Sequence, residues 1–459
     1  ATALTIDGEK YSAAEVNFYY QNVYRGFLQS NSYFISYLGL DTNASLKSQT
    51  VNATAASMMG VEEGSSWHDY IMDNTVKQMT MIQRGLKQAQ EEGYQFPASV
   101  QEQYEDSLNS LKTSAESTGM SVKAYLQRNL GAIMTEKVYN QQVLRMLQYQ
   151  AYAQSYSDSL TYTDAELEAA YQADPKTYDK AAWEYVVVSG AADSTTDADG
   201  NTVQATDEEQ AAAKEAAKAT AEEILAAYNS GKSLESIAGN YEEAQDATYN
   251  ENDRASYSAG SALSEWLFDD ARKDGDTEIL EVGTNYYVGL FHSRGREEYK
   301  TVDIRHILIT PETGTKAQGD EGYEDEQTQL KAAARTKAEE ILAQWKSGEA
   351  TEDSFAQLAL ENSADGSKYD GGLYTRVTKG WAVEEFNDWC FDASRKDGDT
   401  GIVDTTYGSH VMYFVGYDLP AWAASVTSDL QEKAASEWST ALSENADVQQ
   451  SDFGMKFVG

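Results

Sequence analysis

Two imidazoles carry the clearest chemical content in this chain. His306 stands in "TVDIRHILIT" (301–310) and His410 in "TTYGSHVMYF" (405–414). Both stretches read as strands by their β-branched and aromatic runs. A neutral imidazole donates one hydrogen bond and accepts another, so each can serve as a polar group in a site. The whole chain has four His and one Cys. No spacing among them makes a zinc site, so no metal is expected. Cys390, in "DWCFD", reads as a small buried apolar residue beside Trp389 and Phe391. "DADGNTV" (197–203) resembles half a calcium loop. It lacks an acid at Thr195 and a Glu at Thr206, so a tight turn is expected there.

The two histidines belong to the second copy of an internal repeat. "RKDGDTEILEVGTNYYVGLF" (272–291) and "RKDGDTGIVDTTYGSHVMYF" (395–414) align without gaps at an offset of 123 (395 − 272). Tyr287 stands where His410 stands. Tyr185, in "AAWEYVVVSG" (181–190), stands where His306 stands. Both imidazoles are therefore missing from the first copy. Each copy reads β-α-α-(loop)-α-β-β: a strand, an acidic insert (190–208; 311–328), an Ala/Glu/Lys helix, a short helix, a variable stretch, a Trp-containing helix and two strands. Such a unit is an α+β domain in which helices pack on a small antiparallel sheet.

The rest of the chain frames these units. A length of 459 residues fits about three domains. Hydrophobic residues are 41% and aromatics 11%, so the chain folds despite a formal net charge of −40. That charge repels phosphates and makes nucleic acid and anionic lipid poor partners. No run of 18 apolar residues is present to span a bilayer. The opening predicts a short strand, an Asp7-Gly8 turn and a helix begun by a Ser12/Glu15 capping box. Residues 41–66 are polar and read as a loop. Helices are predicted from Trp67 to about Ala89, from Val100 to Leu111, from Val122 to Leu130 and from Ile133 to about Tyr156. Thr163 and Glu166 make a second capping box, and Pro175 ends that helix. The tail after Pro420 predicts an amphipathic helix with Trp422, Val426, Leu430, Ala434 and Trp438 on one face, then an extended end. That face needs a partner, and the N-terminal helices are the natural one. The expected division is a helical domain of residues 1–165 completed by 419–459, a first repeat unit of 176–298 and a second of 299–418.

Residues 301–418 resemble a parvulin-type peptidyl-prolyl cis/trans isomerase. The resemblance rests on "RHILI", "AEEILAQWKSGE", "DSFAQLALENSAD", "GGLY", "EEFNDWCFD" and "GDTGIVDTTYGSHVMYFVGYD", all present and in order. The whole chain is similar to the secreted foldases and periplasmic chaperones of the PrsA and SurA kind. Those pair parvulin domains with a helical chaperone domain built from both chain ends. The fold class implied is α+β multidomain, with two parvulin-like domains.

The resemblance also assigns roles. His306 and His410 are the paired histidines of the sheet centre and, with Asp365, the catalytic set. Leu373, Ala382 and Phe386 line the proline pocket, while Thr405 and Tyr407 border the same site. Ala382 replaces an expected Met and leaves the pocket shallower, and "GGLYTR" alters the usual turn. The acidic loop 311–328 implies no preference for phosphorylated or acidic residues before proline. The first unit, without either imidazole, is expected to be inactive. The implied function is isomerase and foldase for unfolded clients bearing X-Pro bonds, outside the cytoplasm, without a cofactor. An upstream signal or lipid anchor is expected to have been removed. A holdase whose parvulin folds only bind is the alternative, and a surface protein reusing the fold stands behind both.

Overall fold

The computed structural model describes residues 2–241 and 247–459. Strand β1 (Thr2–Ile6) turns at Asp7-Gly8 into β2 (Glu9–Ser12). Ser12 then caps the helix Ala13–Ser30, and Glu15 returns a carboxylate to the Ser12 amide at 2.7 Å. Four further helices follow at Trp67–Glu91, Ala98–Ser117, Val122–Leu130 and Glu136–Ser159. Residues 41–66 are not wholly loop. They hold a short turn, Leu46–Ser48, and a helix, Ala53–Met59, capped by Asn52. Leu46, Val51 and Ala55 anchor this segment in the core. Its apolar residues are too few to show a period, so only tertiary burial reveals them.

The two sheet units come next. In the first, β3 (Lys180–Val188) is followed by the hairpin β4 (Thr195–Thr196) and β5 (Thr202–Val203), then β6 (Ala247–Ala255), β7 (Thr277–Val282) and β8 (Asn285–Gly295). The turn between β4 and β5 is closed by Asp197, whose carboxylate accepts from the amides of Asp199 and Asn201. The second unit has β9 (Lys300–Ile309), β10 (Leu373–Val377), β11 (Thr400–Thr405) and β12 (Gly408–Pro420). The sheets are antiparallel, in the order β6-β3-β8-β7 and β10-β9-β12-β11. The variable stretch expected as a loop is thus an edge strand in each unit, β6 or β10. In β6 a polar sequence hides it, because an edge strand buries little of either face, and β10 is only five residues long.

The repeated "RKDGDT" is a turn that ties a helix to the sheet. Arg395 donates through Nε to the Trp389 carbonyl and stacks 4.0 Å from the Trp389 ring; Arg272 does the same with Trp266 at 4.5 Å. Gly398 donates to the Phe414 carbonyl as Gly275 does to Phe291.

After the second unit the helix Ala421–Ser443 leads to β13 (Val448–Gln450), which pairs antiparallel with β1. Trp438 stacks on Tyr156, with ring centroids 4.4 Å apart. The largest core cluster thus draws on the N-terminal helices and on Trp438, Leu442, Val448 and Val458 from the other end. Among the described residues no helix is long and apolar enough to cross a membrane.

Strand alternation divides the second sheet into two faces. Ile307, Ile309 and Val411 pack under the helices Tyr323–Ser347 and Glu352–Asn362. Val302, Ile304, Met412 and Phe414 face the other way, toward the short helix Glu384–Cys390. His306, Leu308 and His410 share this second face. One seven-residue helix cannot cover the whole face, and the part it leaves open lies over the histidines. Cys390 is fully buried there, and burial pushes its thiol up to about 12.

Candidate functional site: a histidine pair beneath an apolar pocket

His306 pairs in register with Met412, and Leu308 with His410. The two imidazoles are therefore diagonal neighbours on one face, within reach of each other. Their Nδ1 atoms lie 3.0 Å apart and the rings stack at 17°. On its other side His410 Nε2 lies 2.7 Å from Thr405 Oγ1, which accepts from the Tyr407 amide at 3.1 Å. One consistent direction satisfies these groups. The Thr405 hydroxyl donates to His410 Nε2, His410 Nδ1–H donates to His306 Nδ1, and His306 Nε2–H faces Asp365. The reverse direction would aim the His306 lone pair at a carboxylate. Burial, reinforced by His306, pushes His410 down to about 4, which keeps it neutral.

Asp365 Oδ2 stands 3.3 Å from His306 Nε2, at an angle too poor for a directed hydrogen bond. The contact is electrostatic. The His306 imidazole, then Ser367 and Tyr374, hold the Asp365 carboxyl far below the usual carboxylate range. The Ser367 amide and the Tyr374 hydroxyl both donate to Oδ2, at 3.0 and 2.8 Å.

Two glycines let the backbone approach. Gly372 (φ +77°) lies against His306, where a Cβ would fall 2.3 Å from the His306 carbonyl oxygen. Gly408 (φ +140°) begins β12, and a Cβ there would fall 2.2 Å from the Ile309 carbonyl oxygen. The glycines of "GGLY" and "TYGSH" thus set the distance between the histidine strands and their neighbours.

Above the pair opens a cavity of about 300 Å³. Its base is His306, His410 and Asp365; Leu308, Ala382, Val383 and Phe386 are apolar walls; Tyr374, Trp381 and Tyr407 stand at the rim. The Phe386 ring is edge-on to both imidazoles at 5.4 Å. Of the residues singled out from sequence, His306, His410, Asp365, Ala382, Phe386 and Tyr407 meet here. Leu373 does not. It pairs with Arg305 and so points to the opposite face of the sheet. Its neighbour Tyr374, paired with Ile304, takes the place at the site. Thr405 is not a wall either; its hydroxyl holds His410 from behind. Sequence reasoning missed Tyr374, Trp381, Val383 and Leu308. Leu308 was recoverable, being two positions from His306 on the same strand.

Residues 289–415 match the family model of the PPIC-type PPIASE domain, the match beginning within β8. The second sheet unit is a parvulin-type domain. Over 142 residues the chain is 29% identical to foldase protein PrsA 1 of Listeria innocua, covering 30% of this chain and 39% of that protein. A PrsA peptidylprolyl isomerase structure from Bacillus anthracis aligns at 21% identity over 35% of this chain and 60% of its own (TM-score 0.20). A SurA-like chaperone structure from Campylobacter jejuni aligns at 12% identity over 95% and 93% of the two chains (TM-score 0.19). The chain spans less than two thirds of the Listeria and B. anthracis proteins.

The first sheet unit repeats the register of the parvulin domain without its chemistry. Tyr185 pairs with Gly289 and Val187 with Tyr287, the same diagonal, and the two phenol rings lie 5.5 Å apart. Trp183, in the place of Ile304, stacks on Tyr185 at 4.3 Å. Gly289, in the place of Met412, makes room: a Cβ would come 3.2 Å from both the Trp183 and Trp266 rings. Aromatic rings occupy the space that the parvulin domain leaves open. His292 is turned to the other face, where it meets Glu184.

Proposed function

We propose that the parvulin domain catalyses cis/trans isomerisation of X-Pro bonds in unfolded polypeptides, and that the chain acts as a foldase outside the cytoplasm. The observation that carries this reading is the histidine pair, backed by Thr405 and Asp365, at the base of an apolar-walled cavity with room for a proline ring. Rotation about an X-Pro amide is opposed by about 18–20 kcal/mol because the twisted state loses the partial double bond. No covalent bond to protein is needed, and the cavity lining holds no thiol or serine. Acceleration requires tighter binding of the twisted amide than of either planar form.

The named residues divide that work. Phe386, Leu308 and Ala382 receive the pyrrolidine ring and exclude water. Amide resonance places negative charge on the carbonyl oxygen, which water stabilises, so a dry wall favours the twisted state. Asp365, kept ionised by its neighbours, adds a negative charge that disfavours the same resonance form. The hydrogen-bonded imidazoles form a rigid base and need no reorganisation during rotation.

An Ala-Pro peptide tests the proposal, with wild type compared against His306→Ala/His410→Ala. Wild type should accelerate isomerisation and the double variant should do so at least about tenfold less; no acceleration by wild type overturns it. A second reading, holding unfolded chains without turnover, is favoured by one feature. A cleft of about 600 Å³ among the N-terminal helices, closed on one side by Tyr369, has Phe18, Leu111, Tyr139 and Met146 among its walls beside polar groups such as Arg25 and Asp106. Holding by that cleft would let the double variant still suppress aggregation of an unfolded client.

A further inference from the structure

One wall of the cavity sits on a segment with little structure of its own. Residues 378–383 link β10 to the helix Glu384–Cys390 and supply Trp381, Ala382 and Val383 to the cavity. Trp381 is half exposed and touches Tyr374 at a centroid distance of 4.7 Å. Such a loop is free to move unless its backbone groups are held. Its own turn has the Trp381 amide donating to the Thr378 carbonyl at 3.2 Å, and the Val383 carbonyl accepts from the Asn387 amide at 2.9 Å. Three further contacts hold Lys379 and Gly380. The Gly380 amide donates to Asn387 Oδ1 at 2.7 Å. The Lys379 amide donates to the Tyr299 hydroxyl at 3.0 Å. The Lys379 carbonyl accepts from Nη1 of Arg254.

Arg254 belongs to β6, the edge strand of the first sheet unit. Its guanidinium is aimed by partners of its own. Glu297 accepts from Nε at 2.7 Å and from Nη2 at 3.0 Å, and the Tyr299 hydroxyl accepts from Nη2 at 3.2 Å. This forked pairing fixes a planar guanidinium as it could not fix an ammonium. Glu297 and Tyr299 lie on the connection between the sheet units, and that connection is held in turn. The Trp422 and Ala421 amides donate to the Glu297 and Tyr299 carbonyls at 3.1 and 2.8 Å. The Lys379 ammonium covers the Tyr299 ring at 4.6 Å. Both backbone groups of Lys379 are thus engaged by this cluster, two residues before Trp381.

We propose that Arg254 is a positioning residue for the isomerase pocket, supplied by the unit that lacks the histidines. Arg254 fixes the Lys379 carbonyl, this sets the course of residues 378–383, and the Trp381 wall stands where a client residue beside the proline meets it. The first unit then contributes to the pocket of the second, which is a use for a parvulin-like fold whose own centre is filled with aromatic rings. The catalytic consequence rests on the proposed isomerase function; the structural one does not.

The full chain is the test material, as wild type, Arg254→Gln, Arg254→Lys and Asp253→Asn, the last an exposed neighbour. Two readouts are needed. Amide hydrogen exchange over 378–383 should speed up about tenfold in Arg254→Gln, with β9 and β12 unchanged. KM for a short X-Pro peptide should rise about fivefold with kcat little altered, because a binding wall is loosened while the histidine base is intact. Arg254→Lys should fall between, and Asp253→Asn should match wild type. Unchanged exchange over 378–383 in Arg254→Gln overturns the positioning role, whatever the kinetics. Faster exchange with unaltered KM overturns its importance for the pocket. A wild-type protein without isomerase activity would overturn the proposed function, and exchange alone would then decide the role of Arg254.

Discussion

His306 and His410 occupy a diagonal pair across β9 and β12 with their Nδ1 atoms 3.0 Å apart, and Tyr185 and Tyr287 occupy the same diagonal across β3 and β8. The register of the repeat is conserved within one chain while the side chains at its centre are exchanged. That relationship makes the histidine pair a unit, in which each ring satisfies a nitrogen of the other.

A unit should respond as one. His306→Ala and His410→Ala should each lower kcat/KM about tenfold or more, and the double variant should lose little beyond either single. A double-mutant cycle with an X-Pro peptide measures this. Losses that multiply independently would mean that the rings act separately.

Acid should strain the same pair. His410 is pushed down to about 4 in the folded protein, against about 6.5 in an unfolded chain. Its contribution to stability is complete above the unfolded value and is lost as pH falls through the folded one. Asp365, held low by His306, adds a loss in the same direction at lower pH. The His410 effect between pH 7 and 4 should be on the order of a few kcal/mol. With four His in the chain, imidazole NMR signals resolve each titration. A His410 signal that titrates near its ordinary value would refute a buried, neutral His410.

Grafting the imidazoles should not be enough. Tyr185→His with Tyr287→His, placed in the His306→Ala/His410→Ala background, should restore no isomerase activity. Trp183 and Trp266 still fill the space over that sheet, and Gly289 is there to admit them. Activity gained from the two substitutions alone would show that the aromatic filling is no obstacle.

Gly408→Ala tests the backbone that presents His410. Its Cβ would fall 2.2 Å from the Ile309 carbonyl oxygen at a φ of +140°, so β12 must shift where it starts. A loss of about 1–3 kcal/mol is expected, read as a lower urea midpoint, together with weaker isomerase activity. An unchanged midpoint would mean that the close approach is not needed.

Much of this was legible in the residues. The repeat, its paired substitutions of Tyr for His, both capping boxes and most helices follow from local pattern, because caps and periods act over a few residues. Leu373 shows where that reading stops. "GGLY" reads as a glycine turn at the site, but which of Leu373 and Tyr374 faces the cavity depends on pairing with β9, and one step of register exchanges the faces. The edge strand β6 escaped notice because its polar sequence carries no alternation, and β10 because its five residues follow directly on a glycine turn and are too few to show one. Trp381 was invisible as a wall because its loop, besides local bonds to Thr378 and Asn387, is held by Arg254 and Tyr299 from far along the chain.

The sequence by itself determined the local elements, the duplicated frame and the identity of the imidazole pair, since each is written in nearest-neighbour propensities and in side-chain chemistry. Tertiary structure alone decided which strand neighbours face the pocket, that aromatic rings close the first unit, that β13 returns to β1, and that Arg254 reaches the pocket loop. Those are contacts between residues far apart in the chain, and their geometry comes from packing and register, which no short stretch of sequence contains.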